Sequence, residues 1–511
     1  MIKNKYINKI SVILTAVALA AAFAVIIAAK SGTVTAANAP YVTKLFGSEI
    51  IKIEILADKD VWQGMLGNAA AKEYIMADVI VNGVKFQKVG IRPKGNVSLS
   101  NSDRYSFRLK FNHYIKKQTC FGLASFVVNN MKSDNTYIKE YIAYDLMRSA
   151  GADTTLCQFA DISLNGEPWG FYLAVESYAG EFIRRAYNDA LGVLYNVKST
   201  GLGDIRRTGD LGGSLIYTDD DPDSYPAIFL NAVTKTNTAA KKRVIKALKA
   251  LSEGRDLETY FDIDQILRYF AAHTVTVNMD SYSSFTAQNY YIYESKGKLT
   301  ILPWDYNLAF GGFQGNGNLS DMVNFPIDSP VSGVEMSERP LLDKLLGNEE
   351  YLERYHKYLR ELIDDYFNSG KFSETVAYLT DRINDYVKND VSKFCTYEEY
   401  KTAAAEFEKL LLLRARSIEG QLNGTIPSTA EGQARNRSAL ISAASIYAAA
   451  LKGSNGGFMK RDGNISDNGE VNDFNINGCL VWGTNPYMLL ALAAVFAVSF
   501  VFVVKIKVRR Y

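Results

Sequence analysis

Histidine and cysteine are scarce in this chain, and several common enzyme motifs are missing. The 511 residues include 3 histidines and 4 cysteines, and none has the H-E-x-x-H or C-x-x-C spacing of zinc and redox sites. The sequence also has no G-x-x-x-x-G-K-[ST] phosphate-binding loop and no G-x-S-x-G nucleophile turn. These absences argue against a histidine-rich zinc enzyme, a P-loop NTPase and an α/β-hydrolase.

A strong charge of one sign is missing as well. The 57 Lys and Arg residues nearly balance the 55 Asp and Glu residues, which leaves a net charge of +2 at pH 7. Proteins that bind nucleic acid usually carry a strongly basic face, so the composition predicts no nucleic-acid partner. The cysteines leave two alternatives open, because Cys120 and Cys157 can form a disulfide outside the cytosol or remain buried and unpaired.

Two long hydrophobic runs lie near the ends of the chain. Residues 10–29 are almost wholly apolar and follow Lys3, Lys5 and Lys9, and residues 487–504 are followed by a basic tail. Each run has about the length of a transmembrane helix, roughly 20 residues. Because positive flanks mark cytoplasmic ends, the pattern predicts two membrane spans, with both ends in the cytosol and the intervening domain outside it.

The first run has a second interpretation. Ala37, Asn38 and Ala39 resemble a signal-peptidase cleavage site, so the segment can be a cleaved signal peptide. The apolar run is long for a signal peptide, and Pro40 directly after the site is unfavourable for cleavage. We therefore favour an uncleaved anchor at residues 1–30.

The stretch after this anchor divides by composition and periodicity. The sequence predicts a stalk at 31–48, one large domain at 49–423 and a polar spacer at 424–485, because Ser-, Asn- and Gly-rich segments behave as linkers. A second transmembrane helix at 486–505 and a basic cytoplasmic tail at 506–511 complete the chain. Neither end of the chain therefore contributes to the predicted core of the large domain.

Local patterns within the large domain indicate its fold class. Asn82-Gly83 and Asn165-Gly166 each separate two alternating runs, which predicts tight β-hairpins. Thr396 and Glu399 form a capping box that predicts the start of a long helix. The predicted class is α+β, with a β-rich first lobe at about 49–190, a helix-rich second lobe after it, and a transmembrane helix at each end.

Polar residues at predicted strand and loop ends suggest the chemistry. Asp280, Asn289 and Asp305 are close in sequence and offer only oxygen ligands, which suit a hard cation such as Mg²⁺. A carboxylate without a metal can accept a proton from a substrate hydroxyl. Arg92 and Lys94, before a Gly turn, can hold phosphate or belong to an ordinary hairpin. Together these residues predict phosphoryl transfer.

The order of several motifs resembles the spore-coat protein H (CotH) kinase family, whose members are atypical protein kinases. The resemblance covers roughly residues 49–423. The matching segments are residues 90–99 (GIRPKGNVSL), 105–111 (YSFRLKF), 162–172 (ISLNGEPWGFY), 194–198 (LYNVK), 278–282 (NMDSY), 288–293 (QNYYIY) and 303–305 (PWD).

The resemblance implies a two-lobed, kinase-like fold and roles for the acidic residues. Asp280 matches the catalytic aspartate that orients or deprotonates the acceptor hydroxyl, and Asp305 matches the metal-binding aspartate. Asn289 matches the second metal ligand. The implied cofactors are ATP with Mg²⁺ or Mn²⁺. The implied partner is a protein with Ser or Thr hydroxyls.

The resemblance also implies a set of ATP-binding residues in the cleft. Lys110, on a first-lobe strand, is expected to contact the phosphates and to form an ion pair with Glu176. Arg92 and Lys94 are the alternative phosphate contacts. Two aromatic residues are expected to line the cleft or, equally well, to pack in the core; they are Trp304 and Tyr172.

Two positions depart from the family pattern. Gln288 stands where the family commonly has histidine, and Asn307 stands where it commonly has a second aspartate. The spacing from Asp280 to Asn289 is also longer than in the H-R-D-x-x-x-x-N loop of ordinary kinases. The sequence therefore predicts a membrane-anchored kinase acting on surface or spore-coat proteins. The alternative is a catalytically inactive scaffold for envelope or spore-coat assembly.

Overall fold

The computed structural model describes the part of the chain between the two hydrophobic runs. The described residues are 39–95, 99, 104–132, 134–188, 192–198, 212–312 and 318–451. Both predicted membrane spans lie outside them. Within these residues, no helix is both long and apolar enough to cross a bilayer.

Seven strands of the first lobe form a closed barrel in the order β1-β2-β3-β4-β5-β7-β6. The barrel closes through β1, which pairs antiparallel with β2 and parallel with β6. Closure leaves no open sheet edge, which explains why a small β-rich lobe is stable. The strands are β1 (Ile51–Leu56), β2 (Ile75–Val81), β3 (Val84–Lys94), β4 (Ser106–Lys110), β5 (Ser125–Asn129), β6 (Cys157–Leu164) and β7 (Glu167–Glu176).

Alternation along the strands separates the barrel interior from its outer face. On β4, Phe107 and Leu109 are fully buried in the barrel core, so Arg108, which lies between them, points outward. Trp62 and Tyr172 pack in the same core. The outer face of β3 and β4 is consequently the polar one.

Both predicted hairpins are confirmed. Asn82-Gly83 joins β2 to β3 with φ angles of 47° and 81°, and Asn165-Gly166 joins β6 to β7 with φ angles of 52° and 88°. Two successive residues with positive φ define the turn whose twist matches that of the flanking strands. Asn and Gly are the residues that adopt this conformation at little steric cost.

Helices make up most of the second lobe, around a three-stranded sheet. The sheet has the order β10-β9-β8, with β8 (Val193–Val197), β9 (Tyr290–Ser295) and β10 (Lys298–Pro303). The α-helices of the described residues are α1 (Pro40–Lys44), α2 (Lys59–Gly67), α3 (Lys139–Ser149), α4 (Gly180–Tyr187), α5 (Pro226–Phe229), α6 (Thr238–Glu253), α7 (Leu257–Tyr260), α8 (Ile263–Thr276), α9 (Leu319–Val323), α10 (Pro340–Leu346), α11 (Glu349–Leu362), α12 (Lys371–Asn389), α13 (Tyr397–Leu422) and α14 (Ala430–Arg435). The predicted capping box is present at the start of α13.

Helix α3 connects the two lobes, although it lies in the first half of the sequence. Its apolar residues belong to the core of the helical lobe, and so do outward-facing barrel residues such as Phe171 and Val175. A buried ion pair between Arg104 and Asp390, 2.9 Å apart, adds a second connection from the barrel region to the end of α12. The barrel and helices are therefore packed against each other through shared apolar surface.

Two predicted boundaries are wrong because the flanking segments carry buried apolar residues. The predicted stalk includes α1, where Tyr41 is 2% exposed and packs with the barrel core. The predicted spacer after residue 423 includes Ile446 and Leu451, which are 8% and 6% exposed. The Lys139 ammonium donates to the backbone carbonyl of Leu451 at 2.9 Å. The folded unit therefore extends beyond residues 49–423 at both ends.

The two cysteines considered for a disulfide also have a definite state. Cys120 and Cys157 are both buried and free, which corresponds to the unpaired alternative. Burial raises the pKa of the Cys157 thiol to about 12, so this thiol is a poor nucleophile at neutral pH.

The packed segment after residue 423 can be tested by truncation. A chain that ends at residue 423 loses the buried side chains of Ile426, Ile446 and Leu451. We expect its free energy of unfolding to fall by about 4 kcal/mol or more, since each buried aliphatic side chain contributes roughly 1.5–3 kcal/mol. A chain that ends at 451 is the control and keeps full stability. Equal urea midpoints for both truncated chains would show that the segment is a spacer.

Candidate active site

The residues singled out from the sequence come together where α8, β9 and β10 end or begin. Asp280 lies in the loop after α8, Asn289 directly precedes β9, and Asp305 follows β10. The backbone N–H of Trp304 donates to the carbonyl oxygen of Asn289 at 3.1 Å. The β9–β10 hairpin therefore holds the loop of Asp280 beside that of Asp305.

The backbone around the two aspartates is unusual. Val277, Ala287, Asn289 and Asp305 all have left-handed φ angles, between 42° and 61°. This region is disfavoured for residues with a Cβ atom and is least expected for a β-branched residue such as Val277. Such conformations persist only where surrounding contacts impose them, and they concentrate at functional sites.

Asp280 is held by two neighbouring amides. One carboxylate oxygen accepts from Gln288 Nε2 at 2.8 Å, and the other accepts from Asn289 Nδ2 at 2.9 Å. Burial, and to a smaller extent the charge of Asp305, raises the pKa of Asp280. Gln288 thus supplies a donor at the position where the family commonly has histidine. A carboxylate that accepts two hydrogen bonds retains lone pairs for a substrate hydroxyl.

Lys94 connects the barrel to the acidic loop. Its ammonium lies 3.2 Å from Asp305 Oδ1 and 2.7 Å from Asn129 Oδ1. It also lies 5.5 Å from the ring centroid of Trp304, within the range of a cation–π interaction. Lys94 is the last residue of β3, so the barrel presents this cation directly to the second lobe.

A buried carboxylate lies behind Lys94, and the sequence did not suggest it. Both oxygens of Glu140, in the first turn of α3, accept from Asn129 Nδ2 at 2.9 and 2.8 Å. Tyr144, one turn further on, donates to Glu140 at 3.4 Å and accepts from the Asp305 backbone N–H at 3.2 Å. Asn129 therefore stands between the lysine and the glutamate. Burial and the charge of Asp305 raise the pKa of Glu140 to about 7.

His273 ties together the two loops that carry the aspartates. Its Nδ1 lies 2.7 Å from the hydroxyl of Tyr306, next to Asp305, and its Nε2 lies 2.8 Å from the hydroxyl of Ser283, close to Asp280. Burial lowers the pKa of His273 to about 3, so the ring is neutral at physiological pH. It acts as a structural bridge rather than as an acid or base. A single histidine inside an apolar helix was the only sequence signal for it.

The predicted ion pair between Lys110 and Glu176 is wrong. Lys110 pairs with Ser125 across the β4–β5 ladder, and Glu176 pairs with Phe126 across the β5–β7 ladder. Since successive residues of a strand point to opposite faces, Lys110 and Glu176 lie on opposite faces of the barrel wall.

Glu176 instead has partners of its own. It forms an ion pair with Arg185 at 2.7 Å and accepts from the Tyr41 hydroxyl at 2.7 Å. These contacts fix α1 and α4 against the barrel. Glu176 is therefore a structural residue and not part of the cleft.

The two aromatic residues expected in the cleft have different positions. Tyr172 is 1% exposed in the barrel core, where the Arg104 guanidinium lies 4.7 Å from its ring centroid, so it packs in the core. Trp304 contacts Lys94 at the cleft, as described above. Arg92, the other alternative phosphate contact, is on the same face of β3 as Lys94.

The donor atoms present fit a magnesium- or manganese-type ion. Within the described residues, no group of three or more His, Cys, Asp or Glu side chains could hold a metal by itself. Mg²⁺ commonly binds one or two carboxylates and completes its shell with water and substrate phosphates. Asp305 offers a carboxylate. Asn289 offers its amide oxygen, because its amide nitrogen already donates a hydrogen bond to Asp280. These are the residues that would hold the ion.

Comparison with known proteins identifies the family. The profile of the family described as CotH kinase protein matches residues 91–418, which is more than half of the chain. The chain therefore belongs to this family. The kinase-like class that the motifs suggested is thus supported by a match over both lobes.

Two curated relatives are similar to the chain. The inner spore coat protein H of Bacillus subtilis is 21% identical over 315 residues, which cover 58% of this chain and 81% of the relative. The invasin CotH7 of Rhizopus delemar is 24% identical over 307 residues, which cover 58% of this chain and 47% of the relative. The match therefore spans most of the first relative and about half of the second.

One solved structure has a weak likeness. The crystal structure of a Helicobacter pylori proinflammatory kinase, CtkA, matches with a TM-score of 0.24 and 12% identity, over 64% of this chain and 96% of that one. A TM-score this low supports no conclusion about fold or activity.

The raised pKa of Glu140 makes stability depend on pH. A carboxyl group whose pKa is higher in the folded than in the unfolded protein stabilises the fold at low pH, and this contribution is lost as pH rises to about 7. Glu140→Gln removes the effect. We expect the free energy of unfolding of the variant, minus that of the wild type, to increase by roughly 3 kcal/mol between pH 4.5 and pH 7.5.

Chemical denaturation at several pH values measures this difference. Glu49→Gln, at an exposed glutamate, controls for the loss of a carboxylate elsewhere. A difference between Glu140→Gln and the wild type that is constant over this range would contradict the assigned environment of Glu140.

Proposed function

We propose that the chain is an atypical protein kinase that transfers the γ-phosphoryl group of ATP to Ser or Thr hydroxyls of surface or spore-coat proteins. The observation that carries the proposal is the 3.2 Å contact between Lys94 and Asp305. It places a cation of the barrel beside a carboxylate of the second lobe. Phosphoryl transfer requires both groups, a cation for the phosphates and a carboxylate for the metal. Membership of the CotH kinase protein family supports it.

In the proposed reaction, the oxygen of the acceptor hydroxyl forms a bond to the γ-phosphorus. The bond from that phosphorus to the β–γ bridging oxygen breaks, and ADP leaves with the electron pair. Asp280 accepts the hydroxyl proton, and its raised pKa makes it a stronger base than an exposed aspartate. Gln288 and Asn289 keep its carboxylate in place for this step.

The remaining groups of the cleft position and neutralise the phosphates. Lys94, which contacts Asp305 in the structure, would bind the phosphates in the nucleotide complex. Asp305 and Asn289 would hold the metal ion, which when bound would neutralise charge that develops on the phosphoryl oxygens. Glu140, acting through Asn129, keeps the ammonium of Lys94 directed toward the cleft.

Two substitutions separate the roles of the aspartates. Asp305→Ala removes the metal-binding carboxylate, so it should abolish metal-dependent ATP binding. Asp280→Asn should leave ATP binding largely intact and should lower turnover by about 10²–10⁴-fold, the usual contribution of a general base. Asn307→Asp should tighten metal binding because it adds a carboxylate where the family commonly has one.

Calorimetry of ATP binding with Mn²⁺, together with phosphate transfer to a basic acceptor protein, measures these effects. Glu253→Gln, at an exposed carboxylate, is a control that should change neither quantity. Unchanged binding in Asp305→Ala would contradict the kinase proposal and favour an inactive scaffold for envelope or spore-coat assembly. Equal loss of binding in Asp280→Asn and Asp305→Ala would show that the two roles are not separable.

We also propose that residues 10–29 and 487–504 span a membrane, with the kinase domain outside the cytosol. The basic residues beside each run support this arrangement. A reporter that is active only in the cytosol should function when fused after Tyr511 and should fail when fused after Leu451. The opposite result would overturn the proposed topology.

A further inference from the structure

Residues 441–451 form a strap that crosses from α9 over α13 to the start of α3. The backbone N–H of Ala443 donates to Ser320 Oγ at 2.9 Å, and that of Tyr447 donates to Glu406 Oε2 at 2.9 Å. The last four residues of the strap form a 3₁₀ turn. The strap thus links three helices that are distant in sequence. It lies outside the residues that the family profile matches.

The strap ends on a buried lysine. Lys139, the first residue of α3, is 3% exposed, and its ammonium donates to the carbonyl oxygen of Leu451 at 2.9 Å. The carboxylate of Asp134 lies 4.0 Å from the same ammonium, but its oxygens already accept from the backbone N–H groups of Thr136 and Lys139. Within the described residues, the Leu451 carbonyl is therefore the one acceptor at hydrogen-bond distance from this ammonium.

This contact fixes the strap and α3 relative to each other. Burial lowers the pKa of Lys139, because an ammonium removed from water is stable only with acceptors from the protein. Asn135 adds a second hydrogen bond, from its Nδ2 to the carbonyl oxygen of Ala450 at 3.3 Å. Apolar contacts support both bonds, since Ile446 and Leu451 are 8% and 6% exposed. The start of α3 is consequently held from the side of the strap.

The same turn of α3 carries the residue that holds Lys94. Glu140 follows Lys139 directly and accepts from Asn129, whose oxygen accepts from the ammonium of Lys94 at 2.7 Å. Successive helical residues point about 100° apart, so this turn faces the strap with one residue and the barrel with the next. A movement of the turn therefore changes the position of Glu140 and, through Asn129, that of the lysine.

We infer that the strap is a positioning element for Lys94. With Leu451 on Lys139, the first turn of α3 holds Glu140 against Asn129, and the Lys94 ammonium points into the cleft. Without the strap, this turn loosens and ATP binds more weakly. Lys139 is thus a positioning residue that acts through Glu140. The inference rests on the proposed kinase function, in which Lys94 binds the phosphates of ATP.

Ile446→Asn in the full-length chain tests the inference. It places an unpaired amide in an apolar contact, so it should detach the strap without changing any residue of the cleft. We expect ATP to bind about 5- to 50-fold more weakly, within the usual range of coupling between distant sites. Turnover at saturating ATP should change much less, because Asp280 is not part of this chain of contacts. Tyr447→Asn, at the neighbouring residue that is 62% exposed, is the control and should keep wild-type ATP affinity.

A second variant breaks the same contact from the side of α3. Lys139→Ala removes the donor to Leu451 and should weaken ATP binding by a similar factor, whereas Lys139→Arg keeps a donor and should restore most of the affinity. Wild-type ATP affinity in Lys139→Ala would overturn the inference.

A Lys94 background separates positioning from a general loss of structure. In Lys94→Met the strap has no cation to position, so Ile446→Asn should cause no further loss of ATP affinity. An equally large further loss would also overturn the inference, because the strap would then act on the fold as a whole.

Hydrogen exchange distinguishes this inference from the proposed function. The backbone N–H of Asp305 donates to the hydroxyl of Tyr144, one turn after Glu140. Its exchange should become faster in Ile446→Asn and Lys139→Ala if the strap holds α3 in place. If the wild type does not bind ATP but this exchange responds, the positioning role of the strap stands and the kinase proposal fails. If the exchange responds in neither variant, the inference fails even where ATP binds.

Discussion

The contact between Lys94 and Asp305 is the interaction on which the site depends. It brings the end of a barrel strand against the loop after β10, and it places opposite charges 3.2 Å apart at the boundary of the two lobes. The lysine is also linked through Asn129 to the buried Glu140. In a low-dielectric interior such a network is stabilising only when every member has a partner. The barrel, α3 and the acidic loop are therefore constrained together.

The arrangement of Lys94 and Glu140 differs from a direct ion pair. Asn129 accepts from the lysine with its oxygen and donates to both glutamate oxygens with its nitrogen. The Asn129 amide fixes the position of both side chains by hydrogen bonds, but it carries no charge that would neutralise either of them. This explains how Glu140 can have a pKa of about 7 although a lysine lies nearby. The charge state of the site thus depends on burial more than on pairing.

His273 accounts for the fixed relation between the two aspartate loops. Its two ring nitrogens form hydrogen bonds with the hydroxyl groups of Tyr306 and Ser283. The low pKa of the imidazole keeps it neutral. Loops with left-handed residues such as Val277 need contacts of this kind, because their backbone conformation is unfavourable by itself. The proposed division of labour between Asp280 and Asp305 requires that the two loops do not move independently.

The sequence by itself determined the local features of this protein. Asn82-Gly83 and Asn165-Gly166 defined two hairpins, and Thr396 with Glu399 defined the start of α13, since turn and cap chemistry act between residues close in the chain. The family motifs around Asp280 and Asp305 identified the kinase-like class, which the family match supports over residues 91–418.

Only the tertiary structure decided which side chains meet. The choice of Lys94 over Lys110 follows from position along the barrel wall. The two lysines share a face, but Lys94 ends β3 next to Asp305, whereas Lys110 pairs with Gly90, roughly 13 Å back along that strand. The partnership of Asn129 with Glu140 depends on barrel closure and on the packing of α3, which join residues that no local pattern relates. Long-range contacts of this kind form when distant segments bury apolar surface against each other. Composition and periodicity show that a segment is apolar, but they do not show which other segment it packs against.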